Sequence, residues 1–125
     1  SSIRQKSTIA DLMRWVLRSK INKATVTDAQ VEYIGSITIA LDIIEKAGFW
    51  PGEKVLVSSN TTGQRLETYV MVGERGSGTI CMNGAAAHKI KKGEQIIVMG
   101  FELTDKPLQP KNILLDKNNK FVKYF

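Results

Sequence analysis

A glycine and a serine, Gly35-Ser36, interrupt the run Val31-Glu32-Tyr33-Ile34-Gly35-Ser36-Ile37-Thr38-Ile39, which otherwise has the β-branched, apolar character of a strand. A glycine there leaves the carbonyl before the serine unshielded, and it tolerates backbone conformations closed to other residues. A strained peptide bond beside a hydroxyl is a place where a chain can attack itself. A kink or bulge between two short strands would use the same residues. Further along, Gln64-Arg65-Leu66-Glu67-Thr68-Tyr69 reads as a strand. Period-two alternation puts Arg65, Glu67 and Tyr69 on one face and Leu66 and Thr68 on the other. Arg65 and Tyr69 therefore address one site, and Thr68 reaches it only where the strand twists or bulges. In Asn83-Gly84-Ala85-Ala86-Ala87-His88, the small residues would let a ligand or chain approach backbone N–H groups at the start of a helix.

These residues need elements to hold them. From Trp15, alternation sets Trp15, Leu17, Ser19 and Ile21 against Val16, Arg18, Lys20 and Asn22, which predicts a strand with a mainly basic second face. Short strands are expected at 24–27 and 31–39 and a helix at 40–48, where Leu41, Ile44 and Ala47 share a side and Gly48 suits the position just past the end. Strands follow at 53–58 and 65–72, a Gly/Ser-rich loop at 73–78, a strand at 79–82 and a helix at 84–90. Further strands are expected at 95–101, 112–115 and 120–124. Many short strands with two small helices suggest a compact β-barrel. Pro51-Gly52-Glu53-Lys54-Val55-Leu56-Val57 is echoed by Lys92-Gly93-Glu94-Gln95-Ile96-Ile97-Val98, each after a short helical segment. Two such units fit a barrel with a pseudo-two-fold axis.

Composition narrows the class. A chain of 125 residues with 42% hydrophobic content makes one domain, here 13–125, with residues 1–12 expected to be a frayed extension. There is no apolar run near membrane-spanning length. A single cysteine, Cys81, suits a reducing cytoplasm, and with His88 as the one histidine a His/Cys zinc site is implausible. Cys81 reads as a small buried apolar residue, His88 as structural, and Trp15 and Trp50 as packing or subunit-contact residues. The net charge of +6 is spread along the chain without interleaved aromatics, so most of the lysines read as solvated surface.

Together, Lys20 in Arg18-Ser19-Lys20-Ile21, Tyr33-x-Gly35-Ser36, Arg65-x-x-Thr68-Tyr69, Gly73-Glu74-Arg75-Gly76-Ser77 and Asn83-Gly84-Ala85-Ala86-Ala87-His88 resemble the pyruvoyl-dependent aspartate decarboxylases. The likeness runs from about Met13 to Phe101, in the same order and at compatible spacings. It implies a double-psi β-barrel, mainly β with two or three short helices, assembled as a homotetramer with active sites between subunits. It also implies a covalent cofactor made from the chain itself: Ser36 attacks the Gly35 carbonyl, the chain parts between 35 and 36, and residue 36 becomes a pyruvoyl group. That group would form a Schiff base with L-aspartate and draw in the electrons released with CO2, yielding β-alanine for pantothenate and coenzyme A synthesis.

The resemblance assigns roles residue by residue. Thr68 matches the group that stabilises the oxyanion during self-cleavage. Tyr69 matches the proton donor, a phenol being ordinarily protonated at neutral pH. Arg65 matches the partner of a substrate carboxylate and Lys20 a second cation. Asn83, Gly84, Ala85 and Ala86 match polar and backbone contacts to substrate and pyruvoyl group. Asn22 stands where the family commonly has histidine. Two other readings remain: a barrel binding nucleic acid, which gives no reason for Ser36, Arg65 and Tyr69 to occur together, and a proenzyme whose maturation needs a partner protein.

Overall fold

The computed structural model describes residues 12–125; the expected extension at 1–12 lies, but for Leu12, outside the described residues. The strands are β1 (Arg14–Thr25), β2 (Asp28–Gln30), β3 (Ser36–Ala40), β4 (Lys54–Ser59), β5 (Arg65–Gly73), β6 (Ile80–Asn83), β7 (Gln95–Thr104), β8 (Lys111–Leu115) and β9 (Phe121–Tyr124). Two short helices, α1 (Leu41–Ala47) and α2 (Ala86–Lys89), complete the described residues. The strands form one nine-stranded ladder, β2-β6-β3-β5-β4-β7-β1-β8-β9, that curls around the core without closing through hydrogen bonds. The expectation of a mainly β, barrel-like fold with a few short helices is met.

Alternation places the core. Ile21, Ile37, Ile39, Val55, Val57, Val70, Ile80, Ile96, Val98 and Ile113 are buried from seven strands, with Ile43, Ile44 and Ala47 of α1 packed among them. These β-branched side chains suit a pleated, densely filled interior. Gly48 ends α1 in the left-handed conformation, φ 76°, and returns its N–H to the Ile44 carbonyl.

The sequence echo is a structural two-fold. β4 and β7 pair antiparallel at the centre of the ladder, with Val57 opposite Val98, the equivalent residues of the two repeats. Moving outward from β4, the neighbours are antiparallel β5, parallel β3 and antiparallel β6. Moving outward from β7, they are antiparallel β1, parallel β8 and antiparallel β9. The turns repeat as well: Gly52 donates to Val70 O at 2.7 Å and Gly93 to Val26 O at 2.8 Å. Glu53 Oε1 accepts from Trp50 N–H at 2.9 Å, and Glu94 Oε2 from Lys91 N–H at 2.8 Å. Each glutamate thus closes its own turn, which explains why a Gly-Glu pair recurs ahead of both central strands.

Two expected strands are wrong in extent. The strand expected at 31–39 begins only at Ser36, and residues 31–35 form a turn and bend. β2 and β3 flank β6 on opposite sides, and both reach it at the same residue: Gln30 lies opposite Asn83 in one ladder and Ser36 opposite Asn83 in the other. Residues 31–35 therefore carry the chain around the end of β6, across two strand spacings or about 10 Å. Val31 and Ile34 stay exposed because the crossing has no core beneath it. The strand expected at 24–27 is likewise divided, its first half lying in β1 and pairing resuming only at Asp28.

Candidate active site

The Gly35–Ser36 bond lies at the junction of surface and core: Gly35 is exposed, while Ser36, the first residue of β3, is 0% exposed. The Ser36 hydroxyl donates to the Ile34 carbonyl at 3.2 Å and accepts from Asn83 Nδ2 at 2.9 Å. Asn83, itself 2% exposed, faces Ser36 because the two are directly paired across β3 and β6. Its second N–H goes to Thr38 Oγ1 at 2.9 Å, and its Oδ1 accepts from the Cys81 thiol at 3.2 Å. Burial, with a smaller push from Asp28, raises the Cys81 thiol above its ordinary range, which keeps the proton it donates. Cys81 is buried as expected, yet it is a polar partner as well as a small apolar filler.

The role expected of the glycine is partly corrected. The Gly35 backbone is not in the left-handed region, and a Cβ added there would meet nothing within 4 Å. Strain does not demand glycine here; the missing side chain leaves the peptide open to the space beside it. Gly84 is the constrained glycine. It has φ +67°, and a Cβ would lie 2.6 Å from Gly35 Cα, 2.7 Å from Gly35 N and 3.0 Å from Tyr33 O. All three are backbone atoms and cannot swing aside. Gly84→Ala is expected to cost at least about 1–3 kcal/mol from the left-handed backbone alone and to push the 31–35 crossing off Gly84. Urea unfolding would report the loss, and an unchanged midpoint would mean that the crossing is looser than this packing implies.

Beside the bond lies a cavity of about 380 Å³ lined by Gly35, Leu66, Glu67, Thr68, Tyr69, Ala85, Ala86 and Lys89. Its position follows from the register. The β3–β5 pairing starts at Ile37 opposite Val70, so the β5 edge before Val70 is left open where the chain swings away at Gly35. Thr68 and Tyr69, on opposite faces of β5, both reach the space at that open edge without a bulge. A second hollow, about 460 Å³, is lined by Trp15, Glu53, Lys54, Val55, Leu56, Glu67 and Phe101 and holds none of the expected site residues.

Gly35, Thr68, Tyr69, Ala85 and Ala86 are thus brought together around one cavity, with Gly84 packed on the Gly35 backbone and Asn83 bonded to the adjoining Ser36. Arg65 is exposed on the same face of β5 as Tyr69 but does not line the cavity. Lys20 is farther away. Directly opposed residues run Glu67–Leu56–Met99–Lys20 across β5, β4, β7 and β1, so three strand spacings, about 14 Å, separate Lys20 from Glu67. All four share the outer face. His88 is exposed and lines neither hollow. Sequence reasoning missed Thr38, Lys89 and Glu67, the last paired with Lys54 at 2.6 Å. The Ser36-x-Thr38 and Cys81-x-Asn83 spacings were the available signal for Thr38.

The family model for aspartate decarboxylase matches residues 12–122. An aspartate 1-decarboxylase of Caldicellulosiruptor saccharolyticus is 50% identical over 112 residues, covering 86% of this chain and 88% of that protein. One of Neisseria meningitidis serogroup C is 44% identical over 113 residues, covering 87% and 89%. One of Corynebacterium efficiens is 46% identical over 115 residues, covering 89% and 85%. With a family match across nearly the whole described chain and relatives of this closeness, the chain belongs to the aspartate decarboxylase family.

Proposed function

We propose that this chain opens its own Gly35–Ser36 bond and then converts L-aspartate to β-alanine and CO2, for pantothenate and coenzyme A synthesis in the cytoplasm. The observation that carries the reading is a buried serine hydroxyl, held by Asn83, next in the chain to Gly35, which lines one cavity with Thr68 and Tyr69. In the cleavage step, Ser36 Oγ adds to the Gly35 carbonyl carbon and the C–N bond breaks, giving an ester. The hydroxyl proton passes to the freed amine. Thr68 is the donor available on the cavity side for the oxyanion. Elimination frees the Gly35 carboxylate, and hydrolysis releases ammonia.

Residue 36 is then a pyruvoyl group, which supplies the electron sink that decarboxylation requires. The site fits it: the group is about the size of the serine it replaces, Asn83 Nδ2 is directed at that side chain, and Ala85 and Ala86 leave room beside it. The chain's own residues do the rest. Tyr69 returns a proton to the carbon that lost CO2. Arg65 and Lys20 take the substrate carboxylates, Arg65 by a planar fork.

Lys20 is too far along the sheet to serve the cavity of its own chain, and this favours a homotetramer in which a neighbour supplies it. A register shift in β1 between Leu17 and Ser19 turns Trp15, which simple alternation sets opposite Lys20, onto the outer face that carries Lys20. Exposed Trp15 (71%), Phe101 (38%) and Leu103 (44%) there are apolar surface suited to a subunit contact. A maturation partner is called for only if the purified chain fails to cleave.

The test is intact mass under denaturing conditions, with β-alanine measured on the same sample. Fragments 1–35 and 36–125, the larger carrying a ketone in place of its amine, with stoichiometric β-alanine and CO2, are expected. An intact chain that still decarboxylates aspartate would overturn the reading. Nucleic-acid binding that falls steeply with salt, without cleavage or decarboxylation, would replace it.

A further inference from the structure

Four polar side chains form a square on the face of β3 and β6 turned away from the core isoleucines Ile37, Ile39 and Ile80. Ser36 lies opposite Asn83 and Thr38 opposite Cys81, and alternation puts all four on one face. An asparagine amide offers two N–H donors and one carbonyl oxygen. Here both donors are used, on Ser36 Oγ and Thr38 Oγ1 at 2.9 Å each, and the oxygen takes the Cys81 S–H at 3.2 Å. The amide has a preferred sense. The Ser36 hydroxyl proton is committed to the Ile34 carbonyl, so its oxygen needs a donor. Turning the amide over would set Oδ1 against that oxygen, lone pair to lone pair, unless the hydroxyl left Ile34. Cys81 on the far side rewards the sense that gives Nδ2 to Ser36.

We infer that Cys81 and Thr38 are positioning residues for self-cleavage, locking the Asn83 amide so that one N–H stays on the Ser36 hydroxyl. The inference rests on the reading that Ser36 attacks the Gly35 carbonyl. The attack needs the Ser36 lone pair aimed at a carbon in the adjacent peptide, a matter of rotamer and hydroxyl orientation. Asn83 governs that orientation, and Cys81 and Thr38 govern Asn83. Neither side chain touches the bond that breaks.

The experiment follows cleavage by intact mass in the parent chain and in Cys81→Ala, Cys81→Ser, Thr38→Val and Thr38→Ser. Losing one hydrogen bond to the amide is expected to slow cleavage about two- to ten-fold in Cys81→Ala and in Thr38→Val. The serine variants keep a hydroxyl donor or acceptor at each place and are expected within about two-fold of the parent. Rates that are slow alike in Cys81→Ala and Cys81→Ser, or parent-like in both Cys81→Ala and Thr38→Val, would overturn the inference. A parent chain that does not cleave refutes the reading of Ser36 instead. The lock is then judged by exchange of the Asn83 side-chain amide protons: faster exchange in Cys81→Ala and Thr38→Val upholds it, and unchanged exchange refutes it.

Discussion

Ser36→Ala leaves one continuous chain that releases no CO2 from aspartate. The methyl side chain has no oxygen to add to the Gly35 carbonyl, so the bond to residue 36 has no internal nucleophile. No electron sink is then made, and decarboxylation falls by the whole of the enzymic acceleration, about 10⁶-fold or more. The fold survives. Asn83 keeps its bonds to Thr38 and Cys81, and one buried N–H loses its acceptor, at a cost of about 1–3 kcal/mol. A lowered unfolding midpoint with an unchanged circular-dichroism spectrum is the expected companion of the intact mass. Breakage between 35 and 36 in this variant, or decarboxylation by its intact chain, would remove Ser36 from the chemistry.

Much of this was legible in the residues because it rests on periodicity. Alternation located the strands and their buried faces, and the Gly-Glu echo announced a two-fold that the ladder repeats strand by strand. The crossing at 31–35 was not legible. Val31 and Ile34 have the same β-branched and apolar character as Ile37 and Ile39, and only the pairing of both β2 and β3 with Asn83 separates them. Propensity describes how a residue fits a sheet, not where the chain must pass around a strand end.

The site divides in the same way. Gly35-Ser36, Thr68-Tyr69 and Asn83 through Ala86 meet because each lies next to a β3 junction, with β5 on one side and β6 on the other. Lys20 does not meet them, since three strand spacings intervene, a distance set by strand order rather than by any local signal. The Ser36–Thr38–Cys81–Asn83 square combines two period-two patterns. Each was visible in its own segment, and the register that joins them was not. Gly35 shows the limit of reading a residue type: its backbone angle is one other residues adopt, and what the missing side chain leaves is a peptide open toward the cavity.

Tyr69→Phe separates maturation from catalysis. The ring stays at the open edge of β5, so the cavity keeps its shape, and the residues around the Ser36 hydroxyl are untouched. Cleavage into fragments 1–35 and 36–125 is therefore expected at the parent rate. Turnover is expected to fall about 10²–10⁴-fold, the usual contribution of a positioned general acid. The loss should appear in kcat with little change in KM, because the substrate carboxylates are assigned to Arg65 and Lys20 and the hydroxyl is needed only after CO2 has left. Arg65→Ala should behave oppositely, with KM rising first. A fully cleaved Tyr69→Phe enzyme that turned over at the parent rate would pass the proton-donor role to another group at the cavity, and Lys89, on α2 at its lining, would be the next to replace.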